Sequence, residues 1–247
     1  AELGVDPAEY ARRLAALMVD YFADNANDLE NRERPLLDIV RHAFGILDEA
    51  QLAGSCTCCL SLLLPSGRLH VLNLGDSGLQ VVREGESVFK TTEQQHYFNC
   101  PFQLGMGSDD RPEDADYFIL EDLAPDDAVI LATDGVWDNL YNEALVSLID
   151  DAAASPEALA RRVSEKSHLL GRDSTYVSPF AANAQRQGLR FHGGKLDDVT
   201  VVVSRVCAVK KVKQKAGKRG EEGGGGGVGS PVSSVDEDSE DAGVLAH

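Results

Sequence analysis

The sequence predicts an α+β fold in which antiparallel sheets are covered by helices. Three observations carry that prediction. The apolar period changes from helical to strand-like after about residue 51. The short strands that follow are separated by turn tripeptides and tetrapeptides of hairpin type. Helical stretches are grouped before and after the strands rather than alternating with them, which excludes a βαβ repeat.

The first helix begins at Asp6-Pro7, a capping residue followed by proline at the first helical position, with Glu9 at capping-box spacing. Tyr10, Leu14, Leu17, Met18, Tyr21 and Phe22 then fall on one face. A second amphipathic helix is expected over 35–51, with Leu36, Val40, Ala43, Phe44 and Leu47 inward. Strands are expected over 55–64, 68–74, 78–83 and 87–90 as a meander, then over 117–121 and 128–133. Helices follow over 143–153 and 156–170, the latter capped by Ser155 before Pro156. Residues 199–207 form the last expected strand.

The chain has 247 residues, is 43% hydrophobic and carries a net charge of −18. That composition is globular, and the negative charge makes nucleic acid and anionic lipid poor partners. No apolar run is long enough for a membrane span. Cys56, Cys58, Cys59, Cys100 and Cys207 are odd in number and lack framework spacing, so free thiols in a reducing intracellular compartment are expected. Composition shifts after Cys207 to a basic run, then glycines, then acidic residues. Hence 1–207 is read as the folded domain and 208–247 as a disordered low-complexity tail.

Acidic residues stand where strands end. Asp76 lies between two expected strands, Asp134 follows the apolar run 129–132, Asp138 is one helical turn further, and Asp197 and Asp198 precede the last strand. A single Asp-Gly is an ordinary turn. Several carboxylates gathered on neighbouring strand ends repel one another unless cations neutralise them, and oxygen-only donors suit Mg²⁺ or Mn²⁺ rather than zinc.

Four motifs occur in order: Ala53-Gly54-Ser55-Cys56-Thr57-Cys58, Leu72-Asn73-Leu74-Gly75-Asp76-Ser77-Gly78, Ala132-Thr133-Asp134-Gly135-Val136-Trp137-Asp138, and Leu196-Asp197-Asp198-Val199-Thr200-Val201. Together they resemble the metal-dependent protein phosphatases of type 2C over about residues 1–206. The segments 94–104 and 176–181 resemble a narrower, organelle-associated eukaryotic branch of that family. The resemblance implies an α-β-β-α sandwich of two antiparallel sheets flanked by helices. It implies a hydrolase that removes phosphate from phosphoserine and phosphothreonine in proteins, using two Mn²⁺ or Mg²⁺ ions and a third, weaker one. Metal-activated water is then the nucleophile, and no side chain attacks. Carried over, Asp134 and Asp197 bind one catalytic metal, and Asp76 and Asp138 join Asp134 at the weaker site. Gly135, Asp198 and Thr57 stand close behind, with Asp198 orienting Asp197. The branch motifs are expected to serve packing. The partner is a phosphoprotein substrate of a monomeric enzyme, and the branch suggests a mitochondrion or plastid.

One departure from the family pattern matters. An earlier Asp-Gly should bridge the two catalytic metals, with a phosphate-holding basic residue upstream, but the one Asp-Gly in this sequence is at 134–135. The segment 3–7 resembles the region just after that motif. The expectation is therefore an N-terminally truncated piece of an active enzyme, itself weak or inactive, with its first strand missing and one sheet edge unpaired. The alternative is a catalytically inactive pseudophosphatase acting as a binding or regulatory module.

Overall fold

The computed structural model describes residues 6–207 and 244–246. Helix α1 (Pro7–Leu29) starts as expected, with the Asp6 carboxylate accepting from the Ala8 N–H at 3.0 Å. Glu9 forms an ion pair with Arg13, one turn on. Helix α2 (Pro35–Glu49) stops two residues short of its expected end.

The expected strand 55–64 is two strands. β1 (Ser55–Cys56) and β2 (Cys58–Leu63) are separated at Thr57. β3 (Leu69–Leu74), β4 (Gly78–Arg83) and β5 (Glu86–Lys90) continue the meander. Three short strands were not anticipated: β6 (Gln95–Tyr97), β7 (Cys100–Pro101) and β8 (Leu104–Gly105). β9 (Asp116–Leu120) and β10 (Ala128–Ala132) lie close to their expected positions. Helices α3 (Asp134–Trp137), α4 (Asn142–Ile149), α5 (Pro156–Gly171) and α6 (Pro179–Arg186) precede β11 (Val201–Arg205). A final strand, β12 (Val244–Ala246), completes the described residues.

Two four-stranded sheets form, ordered β12-β2-β3-β9 and β11-β10-β4-β5, with every neighbouring pair antiparallel. Their faces follow from the alternation of side chains along a strand. Leu69 and Val71 of β3, Leu79 and Val81 of β4, and Val129 and Leu131 of β10 fill the space between the sheets. The intervening residues point the other way. Leu72 and Leu74 pack against α1 and α2, whereas Ala128, Ile130 and Ala132 pack against α3, α4 and α5. The result is the expected α-β-β-α sandwich. Both faces of the central strands are covered, so β10 reads as a continuous apolar run, and the polar residues of β3 and β4, His70, Asn73 and Gln80, are buried with their apolar neighbours.

Two expectations need correction. The edge of β2 away from β3 is not unpaired, because β12 bonds to it with Ala246 opposite Leu60 and Val244 opposite Leu62. A bare edge presents free N–H and C=O groups that an extended segment satisfies. The same three residues depart from the disorder expected of 208–247; the rest of that tail lies outside the described residues. Among the described residues, no helix is long and apolar enough to cross a membrane.

Candidate metal centre

The site gathers at one end of the sandwich. Asp134 follows the last residues of β10 and opens α3, and Asp138 caps the C-terminal end of that helix. The Trp137 indole N–H donates to the Ala132 carbonyl at 2.9 Å, folding the turn back on the strand that precedes it. Asp197 approaches from the segment leading into β11. Gly135 permits that approach. A Cβ there would strike the Asp198 carbonyl oxygen, so only glycine lets the two segments touch.

The carboxylates converge on an ammonium. Lys195 Nζ lies 2.7 Å from Asp134 Oδ2, 2.6 Å from Asp138 Oδ2 and 3.2 Å from Asp197 Oδ2. Asp134 and Asp197, far apart in sequence, therefore meet at one cation position. The Asp197 carboxylate is oriented by the backbone N–H of Asp198 at 2.9 Å. Asp198 thus acts through its main chain, while its carbonyl accepts from the Thr133 hydroxyl.

Asp76 occupies the turn between β3 and β4. Gly75 holds that turn at φ +105°, and a Cβ on it would meet Thr57 at 2.5 Å and the Phe102 carbonyl at 2.7 Å. Thr57 in turn shares a 2.9 Å hydrogen bond with the Ser77 hydroxyl. The strand break at Thr57 thus supports the Asp76 turn. Gln94 brackets the same turn: its N–H donates to the Gly75 carbonyl at 2.9 Å, and its side-chain oxygen accepts from the Gly75 N–H.

Electrostatics follow from the crowding. Burial raises Asp138 to about 7, against the pull of Lys195 and with the repulsion of Asp134 and Glu93. Burial raises Asp76 to about 6, with Asp134 adding to the shift and Lys195 opposing it. Lys195 moves upward, because the Asp138 and Asp134 carboxylates outweigh its burial. Burial also lifts the Cys56 and Cys59 thiols to about 12, which removes them as nucleophiles.

Three participants were not anticipated. Lys195 itself reads in the sequence as a solvated lysine. Asn139 is buried; its side-chain amide donates to the Lys195 carbonyl at 2.7 Å and accepts from the Lys195 N–H at 2.9 Å. Glu93, after β5, is raised by burial and by the field of Asp134. Its only sequence signal was an acidic residue at a strand end. The branch motif 176–181 does pack, as expected. The Ser178 hydroxyl caps α6 and donates to the Gly193 carbonyl at 2.8 Å, bracing the segment that carries Lys195.

The chain matches the protein phosphatase 2C family profile over residues 9–169. It belongs to the protein phosphatase 2C family. It is 37% identical over 219 residues to probable protein phosphatase 2C 55 of Arabidopsis thaliana, covering 85% of this chain and 44% of that protein. It is 36% identical over 222 residues to the protein phosphatase PTC7 homolog of Xenopus laevis, covering 83% of this chain and 72% of the relative. Its fold is similar to the X-ray structure of the photosystem II phosphatase PBCP, with a TM-score of 0.73 at 27% identity over 84% of this chain and 83% of that one. The fold is also shared with the catalytic domain of the serine/threonine phosphatase PstP, solved with two manganese ions, at a TM-score of 0.52 and 19% identity over 79% of this chain and 81% of that one. The chain spans about half the length of two Arabidopsis relatives it matches, 44% of probable protein phosphatase 2C 55 and 49% of probable protein phosphatase 2C 80.

The donor set of this family member fits a hard divalent cation. It is oxygen-only, it comes from separate segments, and it already surrounds a positive charge. Among the described residues no three His, Cys, Asp or Glu side chains stand close enough together to hold an ion unaided. The point they surround is filled by the Lys195 ammonium.

Proposed function

We propose that this protein is a metal-dependent serine/threonine protein phosphatase, hydrolysing phosphoserine and phosphothreonine in proteins. The observation that supports it best is the convergence of Asp134, Asp138 and Asp197 on one cation position at the ends of β10 and β11. Asp134 and Asp197 would hold a catalytic Mn²⁺ or Mg²⁺, and Asp76 and Asp138 a weaker third ion beside Asp134. Two divalent ions, when bound, would supply an activated water and offset the charge of a phosphate facing this acidic surface.

The chain's own residues do the positioning. The Asp198 N–H fixes the rotation of the Asp197 carboxylate. Gly135 keeps the Asp134 and Asp198 segments in contact. Gln94 and Thr57 hold the turn that presents Asp76. The Asp-Gly carboxylate that bridges two metals in the family pattern is not among these 247 residues. The complete two-metal centre needs that group supplied from outside this sequence. A mitochondrion or plastid is the compartment the branch motifs support, and the protein acts as a monomer in this reading.

The test is phosphate release from phosphoserine and phosphothreonine peptides in Mn²⁺. It is measured on residues 1–247 alone and on the chain extended upstream by a strand ending in Asp-Gly. The expected result is little release by the first and Mn²⁺-dependent release by the second, lost in Asp134→Asn. An extended protein that folds and binds Mn²⁺ yet releases no phosphate overturns the reading in favour of a binding module.

A further inference from the structure

The cation position among Asp134, Asp138 and Asp197 is held by a side chain of the protein itself. Lys195 is mostly buried and makes three carboxylate contacts between 2.6 and 3.2 Å. A divalent ion bound to the Asp134 and Asp197 carboxylates would sit at about 2.0–2.1 Å from their oxygens. The ammonium and such an ion exclude each other on both space and charge.

The backbone of Lys195 is not free to move aside. Asn139 grips both its N–H and its carbonyl. At the neighbouring Gly194, a Cβ would strike the Leu170 carbonyl oxygen, so the segment is pressed onto the end of α5. Only the flexible side chain of Lys195 can leave. It has a place to go. Lys195 lines a cavity of about 460 Å³ whose walls include Phe98, Phe180 and Phe191. Its ammonium already lies 5.0 Å from the centre of the Phe180 ring, in range of a cation–π contact.

We propose that Lys195 is a tethered counter-cation: it holds the acidic cluster together in the metal-free protein and swings toward the Phe180-lined cavity when the cluster takes a divalent ion. The inference rests on reading this cluster as a metal site. It assigns Lys195 a positioning role that sets metal affinity, with no contact to the reacting phosphate. Without a cation, three carboxylates at this separation would repel and splay. The lysine keeps the site assembled and thereby makes the metal compete for it.

The test has two parts, both on the 247-residue chain. The first follows acylation of Lys195 by an amine-reactive reagent, read by mass spectrometry of its peptide, in chelator and in Mg²⁺. Release from the carboxylates should raise the rate at least threefold in Mg²⁺. The second is calorimetric titration with Mn²⁺ of the wild type and Lys195→Gln. The variant should bind at least about tenfold more tightly and melt at a lower temperature than wild type in chelator. Unchanged acylation in Mg²⁺, or Mn²⁺ binding by Lys195→Gln that is equal or weaker, overturns the counter-cation role while leaving the metal site standing. Folded protein that binds neither Mn²⁺ nor Mg²⁺ in either form overturns both. The acylation arm needs no variant, so a misfolded Lys195→Gln does not protect the idea.

Discussion

Asn139 clamps the main chain of Lys195 from both sides, accepting from its N–H at 2.9 Å and donating to its carbonyl at 2.7 Å. The same amide also donates to the Gly135 carbonyl at 3.0 Å, so one buried side chain ties the Asp134 helix to the Asp197 segment. Asn139→Ala leaves these groups without partners in the interior. Each buried group left unpaired costs about 1–3 kcal/mol. The expected outcome in urea unfolding is a loss within that range or above it, with weaker Mn²⁺ binding. Unchanged stability would show that the clamp is idle.

Gly135→Ala tests the contact between segments directly. The new methyl group would collide with the Asp198 carbonyl oxygen, a backbone atom with little room to yield. Overpacking of this kind costs about 1–3 kcal/mol. Mn²⁺ affinity should fall together with melting temperature, because Asp134 and Asp197 are pushed apart. A variant that loses neither contradicts the packing described.

Metal binding should depend on pH near neutrality. Asp138 is raised to about 7 and Asp76 to about 6 in the metal-free protein, burial being the largest cause for each. Below those values the carboxyls carry protons that a cation must displace. Affinity for the weaker ion, to which both residues are assigned, therefore weakens as pH falls through 7 and again through 6. Calorimetry at pH 8 and pH 6 should differ by about tenfold or more, since one unit below a pKa is worth roughly a factor of ten. A flat profile between these pH values would falsify the protonation of this cluster.

Asp134→Asn and Asp138→Asn should separate in a metal titration. Asp134 is assigned to the tight ion and the weak one, Asp138 to the weak one alone. The first substitution should abolish tight Mn²⁺ binding, and the second should leave it nearly intact while lowering turnover of the completed enzyme. Equal loss in both variants would erase the division of roles.

Far from the site, Asp127 is completely buried at the end of the turn that leads into β10. Its carboxylate accepts two hydrogen bonds from Arg83, both at 2.7 Å, and one from the Ala124 N–H at 2.8 Å. Burial alone would raise its pKa, but these donors hold it below the ordinary 3.8. The sign is that of a depressed acid. Its stabilisation is complete above pH 3.8 and is lost as pH falls through the lower folded value. Asp127→Asn should flatten that part of the acid-unfolding curve and lower stability at pH 7. A variant with the parent's acid limb would exclude Asp127 as its source.

The sandwich was legible because its central strands bury both faces. β10 is apolar throughout, β3 and β4 are rich in Leu and Val, and the glycine-bearing turns around β3 and β4 are explicit in the sequence. The acidic residues were legible as a set because each sits at a strand end or one helical turn beyond. Lys195 was not, since a lysine next to two aspartates reads equally well as a solvated ion pair. Asn139 was hidden for a related reason: its partners are main-chain atoms 56 positions away, and sequence periodicity carries no record of such bonds. Helix α6 was overlooked although Ser178 and Pro179 form a standard start, because eight residues give too few turns for an apolar face to emerge. The break at Thr57 goes with a side-chain bond to Ser77, which the cysteine- and leucine-rich run 55–64 conceals.

The turn carrying Asp76 joins β3, in one sheet, to β4, in the other. Asp134 hangs from β10, beside β4. A cation shared by these two carboxylates is therefore a rivet through both layers of the sandwich, fastening it at the open end where the hydrophobic interior gives out. Loading the site would then be felt well beyond it. Amide protons along β3, β4 and β10 would exchange more slowly as a group, and unfolding would have to begin from the opposite end of the molecule.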